Sequence, residues 1–430
     1  MFFWAAVAAM TAVTSCDLTE KEKEPTVNDP FTISSPSPKE PISKVELSQA
    51  QQGYVRAGNG MAFRLMDRLY KGESLICSPL SLQYALAMTA NGASDETLQE
   101  IIDFLGYGEE GMDALNEYCR ILLEQLPAVD LDVKLKVTDA LLVNNNFPLL
   151  PDFKRKMEEY YYAAVDNMDF SDPDQVAARI NEWAKRSTDG FIDKVLDSRD
   201  ISDLAAAFLM NALYFKAQWS GGKYDPMFLE DATFKSDFTL PEGSKKKVDM
   251  MPTEGRFPYA EFDGFRVLAL PYAGYKYYMY FILPDGNDPA ALTSALKDLS
   301  WNDITAALTT DSKVIVRIPK FEIENKLYLN EDLEALGIKK AFKRGADFYD
   351  MFVPHDGYYF WIGSIIQKAK IAVTEWGTEA AAVTVVQMYA ENAVHNPELP
   401  KYFYADHPFA FVIGESGSGT ILFEGVFNGK

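Results

Sequence analysis

Cysteine and histidine are scarce. Three of each occur in 430 residues: Cys16, Cys77 and Cys119, and His355, His395 and His407. They are too few and too scattered for a multi-ligand zinc site or a disulfide framework, and Cys77 and Cys119 read most simply as buried thiols. Positive charge is also in short supply. Lys and Arg total 41 against 63 Asp and Glu, a formal net charge of −22, and the basic run Lys245–Lys247 is short, which argues against nucleic acid or an anionic membrane surface as a partner. Past residue 15 no apolar run approaches the roughly 18 residues of a transmembrane helix. There is no HExxH, GxxxxGK[ST], GxSxG or CxxC, and Gly414-Glu-Ser-Gly-Ser-Gly419 reads as a hairpin turn. Nothing points to a metal, an organic cofactor or an enzyme.

What the chain does have begins with an address. Residues 1–15 form one short apolar run that closes on Val13-Thr14-Ser15-Cys16, similar to a bacterial lipobox. The expectation is a signal peptide over 1–15 and a lipid on Cys16, anchoring the chain at the cell envelope or surface through acyl groups worth about 0.8 kcal/mol per buried CH₂; a plain cleaved signal is the competing reading. Residues 16–45, rich in Pro, Ser, Glu and Lys, read as a solvated tether.

From residue 46 onward the pattern is that of one α+β domain reaching residue 430. Apolar spacing of three and four marks helices in 57–72, 81–93, 96–106 and 111–126. Strand-like runs follow at 133–143, 205–217, 266–274, 276–286, 313–325, 409–415 and 420–428, many with period-two alternation. Helices early and antiparallel-looking strands late exclude a doubly wound sheet.

The segment 375–389 (EWGTEAAAVTVVQMY) fits neither pattern cleanly. Its Ala run favours a helix, whereas the β-branched cluster at 383–386 favours a strand. Read with period two, one face carries Thr378, Ala380, Ala382, Thr384, Val386 and Met388, and the other Glu379, Ala381, Val383, Val385, Gln387 and Tyr389. Conflicting local preferences suit a segment that occupies two environments.

Glu375-Trp-Gly-Thr-Glu-Ala-Ala-Ala-Val-Thr384 resembles the reactive-loop hinge of the serpins. The resemblance extends, in family order, through Ser78-Pro-Leu-Ser81, Asn181-Glu-Trp183 with Thr188-Asp-Gly190, Asn211 to Trp219, Leu270-Pro-Tyr272, Pro319-Lys-Phe321, Ala346-Asp-Phe348, Asp406-His-Pro-Phe409 and Phe423 to Asn428. It covers residues 46–430. It implies a helical N-terminal part on a large central β-sheet, further sheets, and an exposed reactive-centre loop at about 375–405.

The implied activity is inhibition of serine endopeptidases as a suicide substrate, with cysteine proteases as a further target class; the alternative is a non-inhibitory surface protein of the same fold. The implied hinge is Glu375, Gly377, Thr378, Glu379, Ala380, Ala381, Ala382 and Thr384, whose small residues let the loop enter a sheet without burying unpaired charge. Family spacing puts the reactive bond at Glu391–Asn392, with Val386, Met388, Tyr389 and Ala390 as neighbouring alternatives. Ser78, Ser81 and Asn211 match the shutter beneath the sheet, and Trp183 matches the aromatic where the hinge first enters. Gln367 stands where the family usually has His, and Trp376 where it more often has a charged residue. Helical residues 109–125 carry only Arg120 as a base, which speaks against heparin-type activation. The resemblance further implies a monomer, partnered by target proteases, without metal or cofactor, and attached to a membrane only through Cys16.

Overall fold

The computed structural model describes residues 31, 36, 38, 40–107, 110–202, 204–221, 226–355, 357–378 and 399–430. Helices dominate the first third, as the periodicity predicts. Helix α1 (Gln49–Leu69) starts at a capping box in which Ser48 accepts from the Gln51 amide and the Gln51 side chain accepts from the Ser48 amide. Helix α2 (Pro79–Ala90) has Ser78 as its N-cap and Pro79 in its first turn, and nearly all of its residues are buried. It lies beneath the sheets and packs on both Ala207–Gln218 and Ile421–Phe427.

The central sheet has six strands: β1 (Lys134–Asn144), β2 (Ala164–Met168), β3 (Ala207–Gln218), β4 (Phe321–Tyr328), β5 (Ile366–Thr374) and the two-residue β6 (Gly377–Thr378), in the order β4-β5-β6-β3-β1-β2. Only the β1–β2 pairing is parallel; the other four are antiparallel. Along β5 burial alternates, with Gln367, Ala369, Ile371 and Val373 turned inward. A second six-stranded sheet, antiparallel throughout, contains the hairpin Phe409–Glu415 and Ile421–Phe427. Its turn is the expected one, tied by the Glu415 carboxylate to the amides of Gly417 and Ser418 at 2.7 Å each. A four-stranded sheet completes the body. The run 313–325 is not one strand: it breaks at Lys320, sending Val314–Pro319 to the four-stranded sheet and Phe321–Tyr328 to the central one.

Apolar residues form two clusters, one on each side of the central sheet. The smaller lies beneath helix α3 (Pro173–Ser187), which the sequence periodicity did not single out; Asp172 caps it and Pro173 opens it. Here the tether reading needs correction. Residues 40–45 pack on the body, where the Ile42 amide donates to Ala128 O at 2.9 Å and Lys276 Nζ to Ser43 O at 2.7 Å. Phe31 is fully buried beside Trp183, with the Arg179 guanidinium 4.7 Å from its ring centroid and Arg186 donating to its carbonyl. Burial of the Phe31 ring offsets the entropy lost in fixing that side chain.

Phe31→Ala should therefore release the segment before residue 40 to limited proteolysis, with cleavage roughly tenfold faster, the factor for about 1.4 kcal/mol of lost anchoring. An unchanged digestion time course would show that the ring is not the anchor.

Candidate functional site

Strand β5 ends in a two-residue turn, Glu375–Trp376, and the chain doubles back as β6, pairing Thr374 with Gly377 and Val373 with Thr378. The other edge of β6 pairs with β3, Gly377 opposite Gln218 and Thr378 opposite Ala217. The hinge is therefore seated between two strands for two rungs. Gly377 is required there. Its φ is +141°, and a Cβ would come within 2.0 Å of Ala217 O.

Side chains from four other segments grip the turn and the strand after it. The Trp219 indole stacks on Tyr272 at 4.7 Å between centroids, donates from Nε1 to Thr374 O at 2.9 Å, and its amide donates to Trp376 O at 3.0 Å. The hydroxyls of Tyr272 and Thr378 lie 2.5 Å apart. Glu375 has only 3% of its side chain exposed, and its carboxylate accepts from Thr233 Oγ1 at 2.7 Å and pairs with Lys320 Nζ at 2.8 Å. Burial alone would favour the neutral acid, but the bonds to Lys320 and Thr233 outweigh it and hold Glu375 below the ordinary carboxylate range.

Below β6 the two halves of the sheet part. Among the described residues β3 and β5 share no rung, and a cleft of about 710 Å³ opens between them, lined by Leu209, Asn211 and Leu213 on one side and Gln367 and Ala369 on the other. A narrower gap between Leu213–Phe215 and Ala369–Ile371 continues it upward to Thr378. The cleft lies in line with the hinge.

Its floor holds the shutter residues. Ser78 Oγ donates to Leu422 O at 2.7 Å and accepts from the Ser81 amide. The Gln367 side chain accepts from the Ser78 amide at 2.9 Å and donates to the Ser78 carbonyl at 2.8 Å, pairing with both polar groups of one residue as a neighbouring strand would. Asn211 Nδ2 donates to Asp139 Oδ1 at 2.9 Å, while Asn211 Oδ1 and Asp139 Oδ2 are buried without a partner.

Seven of the expected residues come together: Ser78, Ser81, Gln367 and Asn211 line one cleft, with Glu375, Gly377 and Thr378 at its upper end. Trp183 does not meet the hinge. It sits on α3 with Phe31, facing the lower cleft, and the aromatic at the hinge is Trp219. Trp219 follows β3 directly, so its place at the end of the Asn211 strand was the sequence signal that could have found it. Glu379, Ala380, Ala381, Ala382, Thr384, Val386, Met388, Tyr389, Ala390, Glu391 and Asn392 lie outside the described residues, as does Cys16. Cys77 and Cys119 are buried free thiols. Sequence reasoning also passed over two buried acids, Asp139 and Glu424. Glu424 lies 3.6 Å from Cys77 Sγ, and burial pushes its carboxyl well above the usual range.

Burial likewise pushes Asp139 from 3.8 up to about 7, against the opposing bond from Asn211. A carboxyl whose folded pKa is raised keeps its proton in the folded chain after the unfolded chain has lost it, so stability falls as pH rises from about 4 to about 7 and is level above. Asp139→Asn, which keeps the acceptor for Asn211, should raise the melting temperature more at pH 8 than at pH 5, by the equivalent of about 2 kcal/mol at 1.36 kcal/mol per unit. Equal shifts at both pH values would show that Asp139 does not titrate in this range.

Comparison with known proteins agrees with this geometry. The family description "Serpin (serine protease inhibitor)" matches residues 56–429. Intracellular coagulation inhibitor 2 of Tachypleus tridentatus is 32% identical over 391 residues, spanning 89% of this chain and 92% of that one, and neuroserpin of Gallus gallus is 30% identical over 361 residues, 82% and 85% of the two chains. Among solved structures, the thermophilic serpin Tengpin in its native state superposes with a TM-score of 0.78 at 28% identity, covering 93% of this chain and all of that one. Serpin48 of the insect Tenebrio molitor gives 0.77 at 29%, covering 89% and 100%. A large antiparallel sheet with a hinge strand seated in it, and sequence similarity across nearly the whole chain, lead to one conclusion: the chain belongs to the serpin family, most of whose members inhibit proteases.

Proposed function

We propose that this serpin inhibits serine endopeptidases as a suicide substrate. The observation that carries the reading is the hinge itself, two rungs of strand standing at the head of the cleft between β3 and β5. Extending the register of those rungs puts Ala380 between Ile371 and Phe215, Ala382 between Ala369 and Leu213, and Thr384 between Gln367 and Asn211. Every inward residue down to the shutter is then small, and Glu379 faces outward opposite Lys216. Continued further, the register brings Met388 opposite Ala207, the first residue of β3. Residues 379–388 would line the whole of β3, a run of roughly 33 Å at 3.3 Å per residue.

The chemistry follows. The protease serine attacks the carbonyl of the reactive bond, the new amine leaves with the C-terminal segment, and the N-terminal segment stays ester-linked to the enzyme. Freed at one end, that segment zips into the cleft, gaining backbone hydrogen bonds on both edges at about 1 kcal/mol each. It draws the protease to the pole opposite the hinge. An enzyme pulled by its nucleophile loses the alignment of its oxyanion hole, and deacylation stalls. Glu391–Asn392 is the reactive bond by spacing, with Val386 and Met388 to Ala390 as alternatives. We read Cys16 as the site of lipid attachment and the cell envelope or surface as the place where target proteases are met.

The test is to incubate the protein with chymotrypsin-, elastase-, trypsin- and Glu-specific enzymes, then resolve the products on denaturing gels and by intact mass. The expected result is a denaturant-stable adduct, loss of protease activity and a released C-terminal peptide that locates the bond. Clean cleavage with full protease activity throughout would favour the non-inhibitory reading. Thr384→Arg, which would bury a charge at the shutter, should leave the cleavage rate alone and raise the number of inhibitor molecules consumed per enzyme trapped by roughly tenfold or more; an unchanged stoichiometry would refute insertion in this register.

A further inference from the structure

The turn between β5 and β6 decides more than where the hinge begins. Side chains alternate with period two, so a slip of one residue at this turn would reverse every position of an inserting strand. Glu379 would then face the core in place of Thr378, and the outward series Ala381, Val383, Val385 and Gln387 would turn inward. Whatever fixes the turn therefore fixes whether the loop can enter at all.

Two residues make this turn, and a single short segment holds both. Residues Glu230–Ala232 form one 3-10 turn, closed by the Thr233 amide donating to Glu230 O at 3.2 Å. From it Thr233 Oγ1 reaches Glu375, and the Glu230 carboxylate accepts from Trp376 Nε1 at 2.8 Å. The Trp376 amide faces Thr374 Oγ1 at 3.4 Å, and its carbonyl accepts from the Trp219 amide. An indole N–H can only donate, so this side chain has one hydrogen bond to offer, and Glu230 takes it.

We propose that Trp376 and Glu230 form a register latch, making Trp376 a positioning residue for loop insertion. The latch rests on the inhibitor reading above for its effect on trapping, but not for its effect on the hinge. Removing it leaves the Glu375 pair and the Gly377 rungs as the remaining hold on the turn, which opens more often, so the cleaved loop enters more slowly and more acyl-enzyme is hydrolysed before it is trapped.

The experiment uses the full chain with Trp376→Phe, Glu230→Ala, Glu230→Gln and the Trp376→Phe/Glu230→Ala double variant. Hydrogen exchange of the peptide spanning residues 374–378, which needs no protease, should be several-fold faster in Trp376→Phe and Glu230→Ala, no faster again in the double variant, and unchanged in Glu230→Gln, whose amide oxygen still accepts. With a protease that forms the adduct, the same variants should consume several-fold more inhibitor per enzyme trapped while the rate of loop cleavage stays constant. Wild-type exchange in both single variants overturns the latch whatever the inhibition assay gives. Faster exchange with no adduct even in the wild-type protein leaves the latch standing and overturns the inhibitor reading instead.

Discussion

Among the described residues, two rungs of β6 join the halves of the central sheet. The strand order places Gly377 and Thr378, and nothing else among the described residues, between β5 and β3. Above this point side chains hold the turn, through Trp219, Tyr272 and the Glu375 pair; below it, strands that could each hydrogen-bond a neighbour face a cleft. A strand with a free edge is a template for another strand. This chain carries its own candidate a few residues downstream, attached to the strand it would pair with.

The shutter fits such a sheet because its polar groups are unevenly satisfied. On the β5 side, Gln367 is fully engaged with Ser78, which is itself tied to Leu422. On the β3 side, Asn211 and Asp139 each hold one buried oxygen without a partner, a state that costs about 1–3 kcal/mol per group. The uncompleted sheet is thus less stable than the same sheet with its polar atoms satisfied. The difference is local to the Asn211–Asp139 pair beside the cleft.

Much of this was legible in the chain because it is written in local alternation. The strands 133–143, 205–217 and 409–415 depend on little more than period two and emerge nearly where their patterns predict. What escaped depends on three-dimensional neighbours. Trp183 and Trp219 are equally plausible partners for a hinge until the strand order shows that only Trp219 ends the strand beside it. Phe31 lies in a segment whose composition is that of a tether, and no window average registers one anchoring ring. The run 313–325 reads as a continuous strand because the break at Lys320 is a change of sheet, not of local conformation; Lys320 is turned to Glu375 at that break. Asp139 could have been noticed, since it falls in the inward phase of an apolar strand, but without Asn211 opposite it there was no reason to weigh it.

Gln367 and Asp139 together relocate the acid sensitivity of the sheet. A histidine against Ser78 would couple the β5 side of the shutter to protons near neutral pH. Gln367 makes the same kind of bridge without a titrating group, so that side keeps its bonds at any pH the fold survives. The titrating group instead sits across the cleft on β1, bonded to Asn211 of β3 and raised into the neutral range by its burial. Protonation there removes a buried charge from the β3 half and leaves the clasp on the β5 half untouched. The two edges of the cleft therefore differ: acid removes a buried charge beside Asn211 and leaves the Gln367–Ser78 bonds as they are.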